Sequence, residues 1–430
     1  MLAGSALFTA LILALAAAAN PILTAHNGLV RLPFAKRVNT TGTISLHARD
    51  QVRVHHLKEL ARSRTAVAPP AASVKFAKAA AASVRATNQA VDYVVNVGVG
   101  SPATTYYRLH GFADSLLVDT GSSNTWVGAG KRYVKTKTSV QTKDRVSVTY
   151  GSGAFVGTEF TDTVTLASGL VISGQSIGVA SASEGFDGVD GILGIGPVDL
   201  TLGTLSPHTS SSIPTVTDNL SSQKKIPQHL VAVSFEPTTS ESITNGELTF
   251  GGTDSKKFTG KISFAPITKT SPASEFWGID ESITYGSSSG TSILSKTAGI
   301  VDTGTTLLLL ASDAFSRYQK ATGAVMDETT GLLRLTTSQF AKLKSLFFHI
   351  NGVTFELTAN AQAWPRALNT AIGGTTNAVY LIVGDLGTPT GEGLDFVNGQ
   401  VFLERFYSVF DTANKRVGFA TTSFTHATTN

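Results

Sequence analysis

Two stretches decide how this chain is read: VDTGSSNTW at 118–126 and VDTGTT at 301–306. Each follows a short apolar run, Leu116-Leu117-Val118 in the first case and Gly299-Ile300-Val301 in the second. Their aspartates, Asp119 and Asp302, are 183 positions apart. A single Asp-Thr-Gly is an ordinary turn sequence. Two copies, each after an apolar strand and spaced to divide the body in half, point to an internal duplication. Such a duplication brings two carboxylates together across a pseudo-twofold axis. Gly121 and Gly304 let the backbone turn close beside each carboxyl group. Thr120 and Thr303 place a hydroxyl behind each loop. Ser122 and Thr305 place another beside each carboxyl, where a hydrogen bond would tune its pKa.

Two carboxyl groups within hydrogen-bond distance do not both ionise, so they share a proton. The ionised member takes a proton from a bound water while the protonated member polarises a substrate carbonyl. Neither a metal nor any other cofactor is needed, and none is expected. The rest of the composition agrees. The chain has no cysteine, which removes disulfides, cysteine nucleophiles and zinc-thiolate sites. Its nine histidines are scattered singly apart from His55-His56, without an HExxH pattern. Gly151-Ser152-Gly153 is not followed by GKS or GKT, so it is a poor phosphate loop.

The chain has 430 residues, 34 Lys plus Arg, 30 Asp plus Glu, a net charge of +4 and a pI near 9.1. Taken alone, that pI suggests a nucleic-acid or membrane partner. The position of the charge argues otherwise. Residues 1–19 carry no charge and end in Ala17-Ala18-Ala19, the pattern of a secretory signal peptide. Residues 20–79 hold ten bases against two acids, Asp50 and Glu59, a surplus of eight. The remaining 24 bases and 28 acids leave the body at −4. The basic segment reads as a propeptide that lies as a polycation across an acidic cleft, with AVAPPAAS and KFAKAAAAS as linker. Its removal is expected within 79–87. The C-terminal TTSFTHATTN is polar and offers no lipid-anchor tail. The expected product is a secreted, extracellular monomer with neither nucleic-acid nor membrane partners.

From about residue 90, short runs rich in Val, Ile, Thr, Tyr and Phe alternate with Gly, Ser, Asn and Asp: VDYVVNVGV (91–99), RVSVTY (145–150), LVAVSF (230–235) and GELTF (246–250). Helical patches are expected at 312–323 and 338–348. The predicted class is all-β with a few short helices. Single acids such as those of EGLDF (392–396) are expected at the surface.

Over essentially all of 80–430 the sequence resembles the pepsin family of aspartic endopeptidases, its fungal members in particular. DTGSSNTW and DTGTT resemble the family's two active-site loops. VTYGSG (148–153) resembles its flap, with Tyr150 at the flap tyrosine, and Trp126 matches the tryptophan whose indole supports it. DGILGIG (190–196) and FVNGQVFLERFYSVFD (396–411) resemble the segments that pass behind each loop. The resemblance implies a bilobal fold with a central cleft, an N-terminal β lobe over 80–262 and a C-terminal one over 263–430. It implies Asp119 and Asp302 as the catalytic pair of a zymogen that hydrolyses peptide bonds at acidic pH. It also implies Thr120, Gly121, Ser122, Trp126, Thr303, Gly304 and Thr305 as their support. Leu117, Tyr150, Gly151, Ser152, Phe186 and Ile192 would bind protein and peptide substrates. These positions are largely apolar and favour hydrophobic side chains around the scissile bond. Ser152 in place of an acid argues against a lysine preference. Lys75, followed by Phe76, is the candidate for the propeptide cation that pairs with the aspartates.

The sequence departs from the family in several places. Residues 107–114 (YRLHGFAD) look inserted ahead of the first loop, either as a longer hairpin or as a gene-model error. If they displace Leu116-Leu117-Val118, the position of Asp119 changes. Asn398 stands where the family has an aliphatic residue, and a buried amide there must find a partner or cost about 1–3 kcal/mol. Of two sequons, Asn39 leaves with the propeptide and Asn219 is expected in a helix and unmodified. A catalytically silent homologue would break a DTG or the flap, and both are intact. A glycosidase would need more aromatic platforms than three tryptophans supply.

Overall fold

A computed structural model describes residues 29–38, 45–65, 91–105, 116–151 and 153–429. The signal segment 1–19, Asn39, Lys75, the 79–87 region, residues 107–114 and Ser152 fall outside these. The architecture is the expected all-β one. A 16-stranded sheet, a 7-stranded sheet and a 3-stranded sheet carry most of the described chain. The expected lobe boundary at 262/263 falls inside the strand Thr259–Pro266, which pairs with Arg416–Thr421 at one end of the large sheet.

The same three-strand motif occurs twice, and it places the site. Leu116–Asp119 runs parallel to Gly191–Gly194, which pairs antiparallel with Trp126–Val127. In the second half, Thr291–Val301 runs parallel to Phe396–Asn398, which pairs antiparallel with Leu308–Leu310. In each case one strand leads into the Asp-Thr-Gly turn, another leaves it, and a third passes between them. These strands are nearly continuous apolar runs because both faces are covered, and Val118, Leu193, Ile300, Val301, Leu308 and Val397 are all buried. Of the two segments expected behind the loops, Gly191–Gly194 and Phe396–Asn398 lie there, while the rest of 396–411 forms the helix Gln400–Leu403 and the strand Phe406–Asp411 of the large sheet. Leu116–Asp119, just after the undescribed 107–114, pairs with both Gly191–Gly194 and Val94-Val95.

Of three local expectations, one holds and two are corrected. The helix at 312–323 forms as Ser312–Thr322, ended by Gly323 in the left-handed conformation. The patch at 338–348 does not: one turn, Thr337–Phe340, is followed by the strand Leu346–Ile350. Leu346, Phe348 and Ile350 are buried in alternation, so the period of two overrides helix propensity. Asp395 is fully buried, accepting hydrogen bonds from Thr297 and from the Gly391 and Glu392 amides, and is not a surface acid.

The largest difference lies in the described part of the basic segment, 29–38 and 45–65, which forms a strand and a helix; the expected linker, AVAPPAAS and KFAKAAAAS, lies outside the described residues. Val30–Val38 is a strand inserted into the large sheet between Val91–Val95 and Ser242–Phe250. Its Phe34 packs edge-on against Tyr93 and Phe235, at 5.3 and 5.1 Å, while those two rings stack at 3.7 Å. Lys36 is buried and pairs with Glu404, which also accepts the Tyr93 hydroxyl at 2.9 Å. A 20-residue helix, Leu46–Thr65, follows. Its buried residues Leu46, Asp50, Arg53, Val54, Leu57, Lys58 and Ala61 recur at helical spacing.

Phe34→Ala should remove the ring that closes this aromatic cluster. A loss of about 3–5 kcal/mol in the unfolding free energy of the full chain is expected, measured by urea titration.

Candidate active site

Asp119 ends the strand Leu116–Asp119, Asp302 follows the equivalent strand Thr291–Val301, and the two Asp-Thr-Gly turns meet back to back. The Thr120 amide donates to Thr303 Oγ1 and the Thr303 amide to Thr120 Oγ1, both at 2.9 Å. Each hydroxyl then donates across to the other half: Thr120 to the Val301 carbonyl at 3.2 Å, and Thr303 to the Val118 carbonyl at 2.9 Å. Both threonines are fully buried. The expected hydroxyl behind each loop is thus half of a clasp that joins the two loops.

Each carboxylate is held by its own turn. Asp119 accepts from the Gly121 amide at 2.9 Å and from Ser122 Oγ at 2.6 Å. Asp302 accepts from the Gly304 amide at 3.0 Å and from Thr305 Oγ1 at 2.6 Å. The glycines are required by closeness. A Cβ on Gly121 would lie 2.6 Å from Asp302 Oδ1, and one on Gly304 would lie 2.6 Å from Asp119 Oδ1. Each loop therefore leaves room for the carboxylate of the other.

Between the carboxylates sits Arg53. Its Nη2 donates to Asp119 Oδ1 at 2.6 Å and to Asp302 Oδ1 at 3.0 Å, and its Nε donates to Asp302 Oδ2 at 2.8 Å. Burial raises the Asp119 carboxyl above the usual range, and the neighbouring Asp302 charge adds to this against the pull of Arg53. Burial acts the same way on Asp302, but the Arg53 charge and its two hydrogen bonds outweigh it and hold that carboxyl low. The two acids are therefore held unequally while Arg53 is in place. Among the described residues the cation at the aspartates is Arg53; the expected Lys75 lies outside them. A fork of fixed N–H donors can reach both carboxylates at once, which a lysine ammonium does less specifically.

The helix that carries Arg53 fills the cleft and mimics an occupant along its length. Asp50 accepts the Thr306 and Leu307 amides at 3.1 and 2.8 Å. His47 and Gln51 bond the Asp385 carbonyl, both at 2.8 Å. Lys58 meets Thr388 and Glu392, and Arg62 meets Glu392 at 2.9 Å. Sequence reasoning passed over this helix because it tallied the segment's charge without placing it. The available signal was LHARDQVRVHHLKELARSRT itself, rich in helix formers, with Arg49, Arg53 and Leu57 four apart.

The expected substrate-binding residues converge. Leu117, Tyr150, Phe186 and Ile192 belong to one apolar cluster with Trp126. Phe155 stacks on Trp126 at 4.2 Å, and Phe186 meets Trp126 and Tyr150 edge-on at 4.8 and 5.4 Å. Tyr150 lies 6.4 Å from Trp126 between ring centroids. Trp126 Nε1 and the Tyr150 hydroxyl fall short of a strict hydrogen-bond geometry. Burial raises the pKa of the phenol, and the indole N–H is near enough to act against that larger effect and lower it, as the expected support requires. Gly151 in the flap lies directly over the cleft helix, where a Cβ would come within 2.8 Å of the Val52 carbonyl. Asn219 lies in the helix Val216–Ser222 and donates its side-chain amide to Gln175 at 2.9 Å. Asn398, the departure noted above, finds Glu281 as its partner at 2.8 Å.

The model for the eukaryotic aspartyl protease family matches residues 92–422. Polyporopepsin of Irpex lacteus is 74% identical over 351 residues, which cover 82% of this chain and 100% of the relative. Gastricsin of Oryctolagus cuniculus is 31% identical over 346 residues, 76% of this chain and 81% of the relative. A crystal structure of the aspartic proteinase from Irpex lacteus is 75% identical, with a TM-score of 0.75, and is matched over 79% of this chain and 96% of that one.

The clasp makes a stability prediction that needs no activity. Thr120→Val leaves the buried Thr303 amide without its acceptor and should cost about 1–3 kcal/mol in denaturant unfolding. Thr120→Val combined with Thr303→Val should cost clearly less than the sum of the two single changes, since the two hydroxyls serve one network.

Proposed function

The chain belongs to the eukaryotic aspartyl protease family and is an aspartic endopeptidase; we propose that it is made as a secreted zymogen, activated by acid, that cleaves proteins between hydrophobic residues using Asp119 and Asp302. The observation that carries this reading is Arg53 bonded to both carboxylates from a helix that fills the cleft. No substrate carbonyl reaches the pair while that guanidinium is in place. The family model begins at residue 92, and the match covers the whole of polyporopepsin but 82% of this chain. Both support a leader ahead of the catalytic body, whose removal we place within 79–87. Among the described residues no helix is long and apolar enough to cross a membrane.

Once the leader departs, the two carboxyls share a proton. The ionised one takes a proton from the attacking water as the water's oxygen bonds to the scissile carbonyl carbon. The protonated one donates to the carbonyl oxygen as negative charge develops there. Collapse of the tetrahedral species breaks the C–N bond and passes a proton to the leaving amine. Ser122, Thr305 and the Gly121 and Gly304 amides hold the carboxyl planes throughout. The flap, with Tyr150 and Gly151, closes over the substrate where it now covers the leader helix. Leu117, Phe186 and Ile192 supply the apolar wall, and Ser152 offers no charge to attract a basic side chain.

The same contacts give the acid response. Asp302 is held below its ordinary value by Arg53, so its contribution to leader binding is full above the usual carboxylate range and is lost as pH falls through the depressed value. His56 responds earlier. It sits half-buried beneath the flap, where burial lowers its pKa from 6.5 and nearby Arg53 and His55 lower it further, against the Thr149 carbonyl and Glu59. Bound leader therefore favours neutral His56, and that preference is lost as pH falls below about 6.5.

Asp119→Asn and Asp302→Asn should each lower kcat on peptide substrates by about 10⁴-fold in acid-treated protein; turnover near the parental rate in either would overturn the assignment. In a pH series of leader release followed by gel mobility, Arg53→Gln should begin to release at higher pH than the parent. His56→Gln should begin at lower pH. Release at the parental pH in both variants would count against this trigger.

A further inference from the structure

Behind Asp302 lies a buried polar pair that the chemistry above does not use. Asn398 ends the strand that threads the second loop, opposite Val301 on one side and Leu308 on the other. Its carbonyl accepts the Asp302 amide at 3.2 Å. The Asn398 backbone is thus one of the points that fix the residue carrying the carboxylate. The Asn398 side chain turns to Glu281 in the strand Gly278–Tyr285, donating from Nδ2 to Glu281 Oε2 at 2.8 Å. Both side chains are fully buried. The other oxygen of each, Glu281 Oε1 and Asn398 Oδ1, has no partner.

An ionised Glu281 would be costly here. The influences on its proton are burial and the Asn398 amide, without a cation among them. Its sequence neighbour Asp280 lies on the opposite face with Lys296 and His349, where the three line a polar hollow together with Ser282. Ile350, opposite Glu281 on the adjoining strand, is apolar. Thr297, opposite it on the other side, commits its hydroxyl to Asp395. An anion at Glu281 would stand unpaired and would leave an acceptor on each side chain unsatisfied. One proton resolves both problems. On Glu281 Oε1 it removes the charge and gives Asn398 Oδ1 its donor.

We propose that Glu281 is held as the neutral carboxylic acid, closes a ring of two hydrogen bonds with the Asn398 amide, and serves with it as a positioning pair for Asp302 that sets the alkaline limit of the folded site. An aliphatic residue at 398 would need no such acid. The amide and the acid are therefore one substitution in physical terms, each satisfying the other. Burial pushes the Glu281 carboxyl up to about 8. A carboxyl raised in this way stabilises the fold fully below its ordinary value and loses that contribution as pH rises through the raised one. The kinetic part of the proposal rests on Asp302 taking part in the chemistry, whereas the protonation and stability parts do not.

The test uses the full chain, with kinetics after acid treatment. Infrared difference spectra of parent minus Glu281→Gln near pH 6 should contain a protonated-carboxyl band, and a spectrum with only carboxylate bands in its place would overturn the proposal. Glutamine can make both hydrogen bonds and cannot ionise. Glu281→Gln should therefore move the alkaline unfolding midpoint, followed by near-ultraviolet circular dichroism, up by about one pH unit or more. An unchanged or lowered midpoint would overturn it. Asn398→Val should lower kcat by about tenfold with little change in KM, and Asn398→Val with Glu281→Met should recover most of that loss. Parental kcat in Asn398→Val would remove the positioning role. If that variant does not fold, the band and the Glu281→Gln midpoint still decide. Full activity in Asp302→Asn together with the expected band and midpoint shift would refute the catalytic reading while leaving the acid–amide pair intact.

Discussion

The two halves of this molecule meet through one constraint: the Thr120 and Thr303 hydroxyls must each accept the other's amide and donate into the other's strand. Neither loop can satisfy its buried backbone alone. An unpaired amide in such a place is expensive, so the two loops are stable together and poor apart. Their meeting brings the carboxylates to a common point, and that closeness explains why Gly121 and Gly304 carry no side chain. The difference between Asp119 and Asp302 comes instead from Arg53, which bonds Asp302 twice and Asp119 once.

The basic segment is shaped by what it covers. Arg53 supplies a cation where the site has two carboxyls, and Asp50 supplies acceptors where the loop after Asp302 presents two free amides. The helix thus satisfies the cleft's polar groups at each end of its path, while the strand Val30–Val38 ties the segment into the large sheet far from them. Both attachments combine apolar burial with ionic contacts. The ionic contacts respond to acid and the apolar ones do not.

Much of the site was legible because its signal is local. Asp-Thr-Gly after an apolar strand, repeated at half the body length, specifies the loops, their glycines and the flanking hydroxyls without tertiary information. Tyr150, Phe186, Ile192 and Leu117 could be gathered only by resemblance, and the fold does bring them around Trp126. The misses have physical causes. At 338–348 a strand's alternation was hidden among helix-forming residues, and pairing with neighbouring strands decided the outcome. Asp395 looked like a surface acid because its three donors come from Thr297 and from turn amides that sequence does not place. Arg53 lay within a segment whose ten bases are alike in composition.

The sequence by itself determined that two equivalent carboxylates meet in an all-β body, and that a strongly basic segment precedes a mildly acidic one. Repetition and charge partition are properties of order along the chain, and they survive without coordinates. Only the tertiary structure decided which of the ten bases reaches the aspartates, because that depends on helix phase and on the distance between the loops. It also decided that Asn398 is partnered, because Glu281 is 117 positions away and comes within reach only when its strand packs behind the second loop.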